Sequence, residues 1–260
     1  MLKVLRKKLF EEFPAIARWH RQRKQRQRKA RFASDLWQQR DRNLARRRYA
    51  SYEEYLTHQA SKLDNILARR VAKEADAEAT FRRRFLDYAP LQGARNVLCL
   101  GARLGAEVKA LRSLNYFAVG LDLNPGKDNP YVFYGDLHQL AFYENSVDAI
   151  YTNVLDHVYD LPRLIGEVSR VLKPGGVFIA DIGPGFEEGY LPGEYEATYW
   201  PRTETLIQTI VATGKLHTLE QRSGEGTTLQ VVFKPGEKAA AEARRPNAVP
   251  DSIGFSAARR

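Results

Sequence analysis

The chain has 260 residues, 43% of them hydrophobic, which is enough for one large domain with an appendage. Its single cysteine, Cys99, excludes a disulfide within the chain and is typical of a reducing compartment. No apolar run reaches membrane-spanning length, and the amino terminus lacks the apolar stretch and cleavage pattern of a secretory signal. The sequence therefore predicts a soluble, cytoplasmic protein.

The net charge of +10 is concentrated at the amino terminus. Residues 1–48 hold 17 Lys and Arg against 4 Asp and Glu, which leaves 24 against 27 for residues 49–260. The excess positive charge therefore belongs to an amino-terminal arm and says little about what the main domain binds.

The arm, placed at residues 1–50, is predicted to be helical. Apolar residues from Leu2 to Ile16 share one helical face, and Pro14 is expected to end or kink this first helix. The following stretch, which includes RQRKQRQRKAR, has no apolar stripe. Residues 1–48 could bind an anionic membrane surface, bind nucleic acid, or form a solvated or protein-packed extension. The apolar face favours binding to the inner face of a membrane over binding to nucleic acid, because apolar side chains can insert into a bilayer interface but do not contact phosphates favourably.

Residues 51–93 are predicted to form a helical lead-in to the main domain. Ser51 and Glu54 form a capping-box pattern at the start of one helix, and a second helix is predicted over Ala77 to Tyr88. This pair of helices would either pack on a sheet edge or close over a site as a lid. The sequence leaves both possibilities open.

The segment NVLCLGARLGAEVKALRSLNYFAVGLDLNP predicts a strand, a glycine turn, a helix and a second strand. Such a unit places free N–H groups and a helix N-terminus in the crevice beyond the strand ends. Asp122 ends the second strand, about twenty residues after Gly101, where a carboxylate can accept hydrogen bonds from ribose hydroxyls. The turn is Gly-x-x-x-Gly instead of G-x-G-x-x-G, so a purely structural turn remains an alternative.

The rest of the chain continues the alternation of strands and helices. Further strands are predicted over 131–134, 147–153 and 177–180, with a helix over 161–172 that begins after Asp160 and ends at LKPGG. A helix over 203–212 precedes two alternating runs, 216–221 and 228–233, which are typical of an antiparallel hairpin. Residues 236–260, rich in Ala, Arg and Pro, are predicted to be disordered.

With VLCLGARLGAEV, GLDLNP, GDLHQL, SVDAIYTNVLDH and EVSRVLKPGGVFI at this spacing, the sequence resembles the class I S-adenosylmethionine-dependent methyltransferases of type 11. The resemblance covers about Ala94 to Phe233 and implies a methyltransferase domain at 94–235. The implied fold class is α/β, a Rossmann-like, doubly wound, mostly parallel seven-stranded sheet with a C-terminal antiparallel hairpin, preceded by an all-helical extension.

The resemblance also implies which residues hold S-adenosyl-L-methionine. Its methionine half would lie beside Gly101, Ala102, Arg103, Gly105 and Asn153, its ribose on Asp122, and its adenine beside Leu123, Asp136 and Leu137. Two positions depart from the family pattern, which commonly has an acidic residue at Cys99 and a glycine at Arg103. Glu107 could replace the missing acid, and Arg103 could pair with the methionine carboxylate.

The remaining candidates concern catalysis. A sulfonium methyl group is already electrophilic, so the protein has to align a nucleophile and, for a hydroxyl or carboxyl acceptor, manage its proton. His157 is the best candidate base, with Asp156 beside it, although the pair could instead cap a loop. Tyr195, Tyr199, Trp200 and Arg202 either bind the acceptor or form an aromatic core cluster. No metal site is predicted, because the five histidines are dispersed.

The sequence thus predicts a methyltransferase acting on an O- or N-nucleophile of a small-molecule or envelope-related acceptor. A non-catalytic adaptor on the same fold and an RNA-associated methyltransferase that uses the basic arm are the alternatives. A nicotinamide-dependent oxidoreductase is disfavoured by the turn spacing and the terminal hairpin.

Overall fold

The computed structural model of the protein describes residues 14–39, 44–224 and 228–236. The apolar face predicted from Leu2 onward lies largely in residues 1–13, and the predicted tail lies almost wholly in 237–260, so both are outside the described residues. In the described part of the chain, none of the helices has the length and apolar content needed to cross a bilayer.

Within the described residues, three helices and two short strands precede the main domain. These are α1 (Pro14–Phe32), β1 (Trp37–Gln39), β2 (Ala45–Arg47), α2 (Tyr52–Val71) and α3 (Glu74–Phe85). The predicted capping box is confirmed, since Ser51 Oγ accepts a hydrogen bond from the Glu54 N–H at the start of α2. The two strands correct the expectation that this extension is all helical.

The main domain alternates strands and helices as predicted. Its elements are β3 (Asn96–Leu100), α4 (Ala106–Ser113), β4 (Phe117–Asp122), β5 (Val132–Tyr134), β6 (Val147–Thr152), α5 (Leu161–Val171), β7 (Leu172–Ile182), β8 (Thr198–Tyr199), α6 (Thr203–Ala212), β9 (Leu216–Ser223) and β10 (Leu229–Pro235). Asp160 caps α5 by accepting a hydrogen bond from the Arg163 N–H at 3.1 Å.

Seven of these strands form one sheet in the order β5-β4-β3-β6-β7-β10-β9. The first five strands in this order pair in parallel, and β10 pairs antiparallel with both β7 and β9. The doubly wound sheet with a terminal antiparallel hairpin is therefore confirmed. The carboxyl ends of β3, β4 and β6 meet at one edge, where ligands bind in this class of sheet.

The core lies on both faces of this sheet. Successive side chains of β3 alternate between two clusters, with Leu98 and Leu100 on one face and Val97 and Cys99 on the other. Because helices cover both faces, the strand reads as a continuous apolar run instead of an alternating one. Cys99 is wholly buried, and burial raises the pKa of its thiol well above the ordinary value.

The amino-terminal segment is attached to the main domain by a second, three-stranded sheet. Strand β2 pairs with β1 and with β8, which places Ala45 opposite Tyr199. The Arg47 side chain donates hydrogen bonds to the carbonyls of Glu196 and Gly193 at 2.9 and 3.3 Å. Phe32, Trp37 and residues 45–47 thus contact the main domain. Of the described residues before 48, only the exposed part of α1 agrees with the prediction of a separate basic arm.

Candidate functional site

The glycine turn after β3 forms the floor of the candidate site. Gly101 has a φ of +73° and Gly105 a φ of +86°, the left-handed region that favours glycine. A Cβ atom on Gly101 would lie 2.3 Å from a methyl carbon of Val154, so a side chain does not fit there. The N–H groups of Gly101 and Ala102 both donate to the Leu121 carbonyl, at 2.8 and 3.1 Å, which ties the turn to β4.

Arg103 occupies the position where the family commonly has glycine. Its φ is +47°, an uncommon value for a residue with a side chain. This conformation gives a physical reason for the usual glycine. Arg103 keeps the turn geometry while placing a cation at the mouth of the site.

Asp122 ends β4 beside this turn. Its two carboxylate oxygens accept hydrogen bonds from the Arg103 N–H at 3.0 Å and the Asn124 N–H at 2.9 Å. Burial raises the pKa of Asp122, while these two N–H groups and the Arg103 guanidinium act in the opposite direction. A carboxylate oxygen accepts more than one hydrogen bond, so both oxygens keep capacity for ribose hydroxyls.

A cavity of about 240 Å³ lies on one side of the turn. It is lined by the predicted methionine-side residues Gly101, Ala102, Arg103 and Asn153 and also by Glu107, Arg70 and Glu74. Glu107 is buried, and this burial raises the pKa of its carboxyl to about 7, although Arg103 favours the charged form. The cavity thus offers a carboxylate and guanidinium groups, which match the amino and carboxylate ends of an amino acid.

A second, much smaller cavity of about 50 Å³ lies on the other side, above Asp122. Its walls include Leu123 and Leu137, the predicted adenine neighbours, and it is covered by Tyr55, Gln59, Lys62 and Leu63 of α2. Helix α2 therefore closes over the site. The sequence left open whether this helix packs on a sheet edge or acts as a lid, and its position favours the lid. Small-molecule sites usually have about 300–1,000 Å³, so α2 has to move outward before an adenosine group enters.

Asp136, predicted to meet the adenine amino group, is engaged elsewhere in this conformation. Its carboxylate accepts hydrogen bonds from the Tyr52 hydroxyl at 2.6 Å and from the His138 backbone and ring N–H groups, both at 2.9 Å. Burial opposes ionisation, but these hydrogen bonds outweigh it and lower the Asp136 pKa to about 2. The neighbouring Leu137 lines the small cavity, and the adenine contact of Asp136 stays a prediction.

His157 lies in the short 3₁₀ turn Leu155–His157 after β6 and faces α2. Its Nδ1–H donates to the Tyr195 carbonyl at 2.9 Å, and its Nε2 contacts the Lys62 Nζ. Burial, together with the adjacent Lys62, lowers the pKa of His157 to about 3. Burial and the nearby Arg103 lower the pKa of Lys62 to about 7. The imidazole is therefore neutral near pH 7, and its acceptor nitrogen is taken by Lys62.

A third cavity, of about 380 Å³, lies behind Asp156. Asn153 lines both this cavity and the methionine-side cavity, so the two adjoin at the tip of β6. Tyr199 and Trp200, named from the sequence as acceptor-binding candidates, line it as well. Tyr195 lies apart from this cavity and stacks on His58, with ring centroids 5.0 Å apart. The nearest pair of atoms between the His157 and Asp156 side chains, Nε2 and Oδ1, is 3.8 Å apart.

The structure adds site residues that the sequence did not single out, above all Lys62 and Tyr55. Both lie on α2, whose helical pattern was predicted, but the pattern does not tell which main-domain residues the helix will meet. Within residues 14–39, 44–224 and 228–236, no group of three or more metal-ligating side chains occurs.

Comparisons with known proteins agree with this geometry. Residues 98–180 match the family model described as methyltransferase domain. The biotin biosynthesis bifunctional protein BioHC of Cellvibrio japonicus is 33% identical over 112 residues, which cover 38% of this chain and 22% of that protein. The chain spans about a fifth of the length of the curated relatives that it matches.

Two solved structures share the fold. The 1,6-didemethyltoxoflavin-N1-methyltransferase of Burkholderia thailandensis, with its bound 1,6-didemethyltoxoflavin and S-adenosylhomocysteine, has a TM-score of 0.57 at 14% identity and covers 77% of this chain and 99% of that one. A chain of the Haloferax volcanii complex with the Trm112 methyltransferase activator has a TM-score of 0.53 at 20% identity, covering 68% and 97%. Residues 98–180, which include the Gly101 turn, Asp122 and Asn153, thus match a methyltransferase domain, and the sheet around them has the fold of these methyltransferase structures.

Proposed function

We propose that the protein transfers a methyl group from S-adenosyl-L-methionine to a nucleophilic atom of a small-molecule acceptor. The observation that supports this most directly is the juxtaposition of the Gly101 turn with Asp122. The two lie at the ends of neighbouring parallel strands. The Gly101 N–H donates to the Leu121 carbonyl of β4, and the Asp122 carboxylate accepts a hydrogen bond from the Arg103 N–H of the turn. A dinucleotide enzyme would be expected to have a different turn spacing.

The proposed binding mode assigns each part of the cofactor to residues of this chain. Asp122 holds the ribose, Leu123 and Leu137 contact the adenine, and Arg103 and Glu107 hold the amino-acid end. The bound cofactor supplies an electrophilic methyl group on a sulfonium. The protein's own contribution is to orient the acceptor beside Asn153, exclude water under α2 and accept a proton where the acceptor loses one.

Asp156 and His157 are the proposed catalytic residues, because they separate the cofactor cleft from the 380 Å³ cavity. Their roles differ in this proposal. His157 has its Nε2 against Lys62 and a pKa of about 3, so it is a weak base in this conformation. Asp156 lines the third cavity, with its Oδ1 3.8 Å from the His157 Nε2, and is the proposed proton acceptor.

The test of this function is calorimetric titration of the wild-type protein with S-adenosylmethionine, S-adenosylhomocysteine and NAD. We expect the first two to bind and NAD not to bind. Asp122→Ala should weaken S-adenosylmethionine binding by tens- to hundreds-fold, since it removes charge-assisted hydrogen bonds worth about 2–3 kcal/mol.

The matched control is Glu144→Ala, a carboxylate removed from an exposed turn that precedes β6 at the opposite edge of the sheet. It should leave the affinity unchanged. Unchanged binding in Asp122→Ala would overturn the site assignment. A folded wild-type protein that binds neither cofactor form would instead support the non-catalytic adaptor.

A further inference from the structure

The cavity behind Asp156 combines features that restrict which acceptor fits it. It adjoins the methionine-side cavity at Asn153, where the methyl group of a bound cofactor would emerge, and its volume of about 380 Å³ is in the range of small-molecule sites. Resting on the proposed function, we infer that this cavity binds a small amine that carries a planar aromatic ring, and that the amine nitrogen is the methyl acceptor.

The aromatic preference follows from Tyr190, whose side chain is 42% exposed and lines the cavity, backed by the buried rings of Tyr199 and Trp200. The Tyr199 ring stacks on Trp200 and on Tyr190, with centroids 5.4 and 6.5 Å apart. The Tyr199 hydroxyl lies within hydrogen-bond distance of the Pro184 and Tyr190 carbonyls. Because the backbone satisfies its hydroxyl and its ring is 1% exposed, Tyr199 holds Tyr190 in place, and the exposed ring of Tyr190 is the aromatic surface offered to a ligand.

The Trp200 ring is fixed in the same way. Its Nε1–H donates to the Gly183 carbonyl at 3.1 Å, and the side chain is 2% exposed. Tyr190 is thus backed by fixed rings and loses little conformational entropy when a ligand binds, which favours a flat, rigid ring over a flexible chain.

The preference for an amine follows from the two carboxylates of the cavity. Asp181 accepts hydrogen bonds from Gln230 at 2.8 Å and from Tyr151, and it forms an ion pair with Arg84 at 2.6 Å. Its negative charge is therefore compensated. Within the described residues, no side-chain donor lies within hydrogen-bond distance of the Asp156 carboxylate, and the His157 Nε2 is 3.8 Å away. Burial raises the Asp156 pKa, while the charge of Lys62 and the backbone N–H groups of Asp156 and His157 favour the ionised form. Asp156 is thus the acceptor left for an ammonium or N–H group of a ligand.

The proton balance also favours nitrogen. An aliphatic hydroxyl has to lose its proton as it attacks, which needs a stronger base than a carboxylate, and the His157 Nε2 is occupied by Lys62. An ammonium group instead transfers one proton to the Asp156 carboxylate and becomes a neutral amine. Its lone pair forms the new N–C bond, the C–S bond breaks with its electron pair staying on sulfur, and Asp156 then releases the proton to water.

Tryptamine and tryptophol form a matched pair of probes, since they share the indole ring and differ in an ammonium against a hydroxyl group. We would measure their binding to the S-adenosylhomocysteine-saturated protein by calorimetry. Tryptamine should bind at least about tenfold more tightly, because a charge-assisted hydrogen bond contributes about 1.5–3 kcal/mol. With S-adenosylmethionine present, tryptamine alone should yield S-adenosylhomocysteine.

Variants separate charge from shape. Asp156→Asn should remove the preference for tryptamine, Asp156→Glu should keep it in part, and Tyr190→Ala should weaken both probes alike. Equal binding of the two probes, a preference for tryptophol, or binding of neither while S-adenosylmethionine binds would overturn the inference and leave the proposed function intact. Failure of the wild-type protein to bind S-adenosylmethionine would overturn both. If Asp156→Asn does not fold, the wild-type preference decides.

Discussion

The central sheet and the amino-terminal segment contribute to the same site in different ways. The turn at Gly101 and the carboxylate of Asp122 are held by hydrogen bonds between neighbouring strands of one buried sheet. Helix α2 instead reaches the site from outside, and its Lys62 meets His157 across 95 positions of sequence. The floor of the cofactor site, formed by the Gly101 turn and Asp122, is therefore determined by local sequence. Its cover, helix α2, depends on how the amino-terminal segment packs on the main domain.

The two regions also differ in what they allow to move. The strand tips lie in a core with side chains close to fully buried on both faces of the sheet. Helix α2 leaves a cavity of only about 50 Å³ above Asp122, which is too small for an adenosine group. Binding of the cofactor therefore has to displace α2. We therefore expect the floor to be rigid and the cover to open, which is the usual arrangement of an enzyme lid.

The largest effect is expected from Gly101→Ala, which tests the rigidity of the floor. The added methyl group would lie 2.3 Å from Val154 and occupy a φ of +73°. Left-handed strain and overpacking together should destabilise the fold by about 2–4 kcal/mol. Displacement of the turn should lower S-adenosylmethionine affinity at least about a hundredfold, equivalent to about 2.7 kcal/mol. Urea unfolding and calorimetry measure the two effects.

Gly175→Ala is the control, because Gly175 has a φ of +85° with no atom within 4 Å of an added Cβ. Gly175→Ala should lower the free energy of unfolding by about 1 kcal/mol, from left-handed backbone strain alone, and should leave the cofactor affinity unchanged. Equal effects in both glycine variants would mean that the close approach of Val154 does not shape the cofactor site.

Particular residues show how far the sequence carried these predictions. The alternation of strands and helices, the Gly101 turn and the position of Asp122 followed from apolar runs and turn residues, because each of these signals is local. The doubly wound seven-stranded sheet was implied by the family resemblance. The contribution of Lys62 and Tyr55 to the site was not predicted, since a helical pattern identifies a helix but not the distant surface that it covers. Strands β1 and β2 were not predicted either, because each has only three residues. They are stabilised by pairing with each other and, through β2, with β8 of the main domain.

An intermediate effect is expected at the junction of the two regions. Trp37 is 8% exposed and packs edge-on against Phe32 and Tyr199, with ring centroids 5.4 and 6.4 Å apart. Trp37→Ala should destabilise the protein by about 2–3 kcal/mol, the lower part of the range for a buried aromatic side chain, because this cluster is small. The melting temperature and urea midpoint report the loss.

Trp19→Ala is the matched control on the same segment. Trp19 lies on α1 and is 57% exposed, so its removal should change stability by no more than about 0.5 kcal/mol. If Trp37→Ala changed stability as little as Trp19→Ala, the packing of Phe32 and Trp37 against Tyr199 would contribute little to stability. The amino-terminal arm would then be separable as far as residue 48.

The smallest effect is expected from the pH dependence of the cover, tested with Lys62→Met. The ordinary lysine pKa of 10.5 falls to about 7 in the folded protein, chiefly through burial. Between these values the unfolded chain holds more protons than the folded one, so this group makes stability rise with pH from about 7 to about 10. Below pH 7 the full cost of the buried charge remains.

In Lys62→Met that pH-dependent contribution disappears. The wild-type protein should therefore gain on the order of 1 kcal/mol more than the variant between pH 7 and pH 9.5, a conservative figure since one pKa unit corresponds to about 1.4 kcal/mol. Urea unfolding at the two pH values measures the difference, and Lys73→Met, an exposed lysine, should behave as wild type. Removing the neighbouring cation should also raise the His157 pKa above about 3, which an NMR titration of the ring would detect. Identical pH slopes in wild type and Lys62→Met, with an unchanged His157, would mean that α2 does not hold Lys62 against His157 in solution.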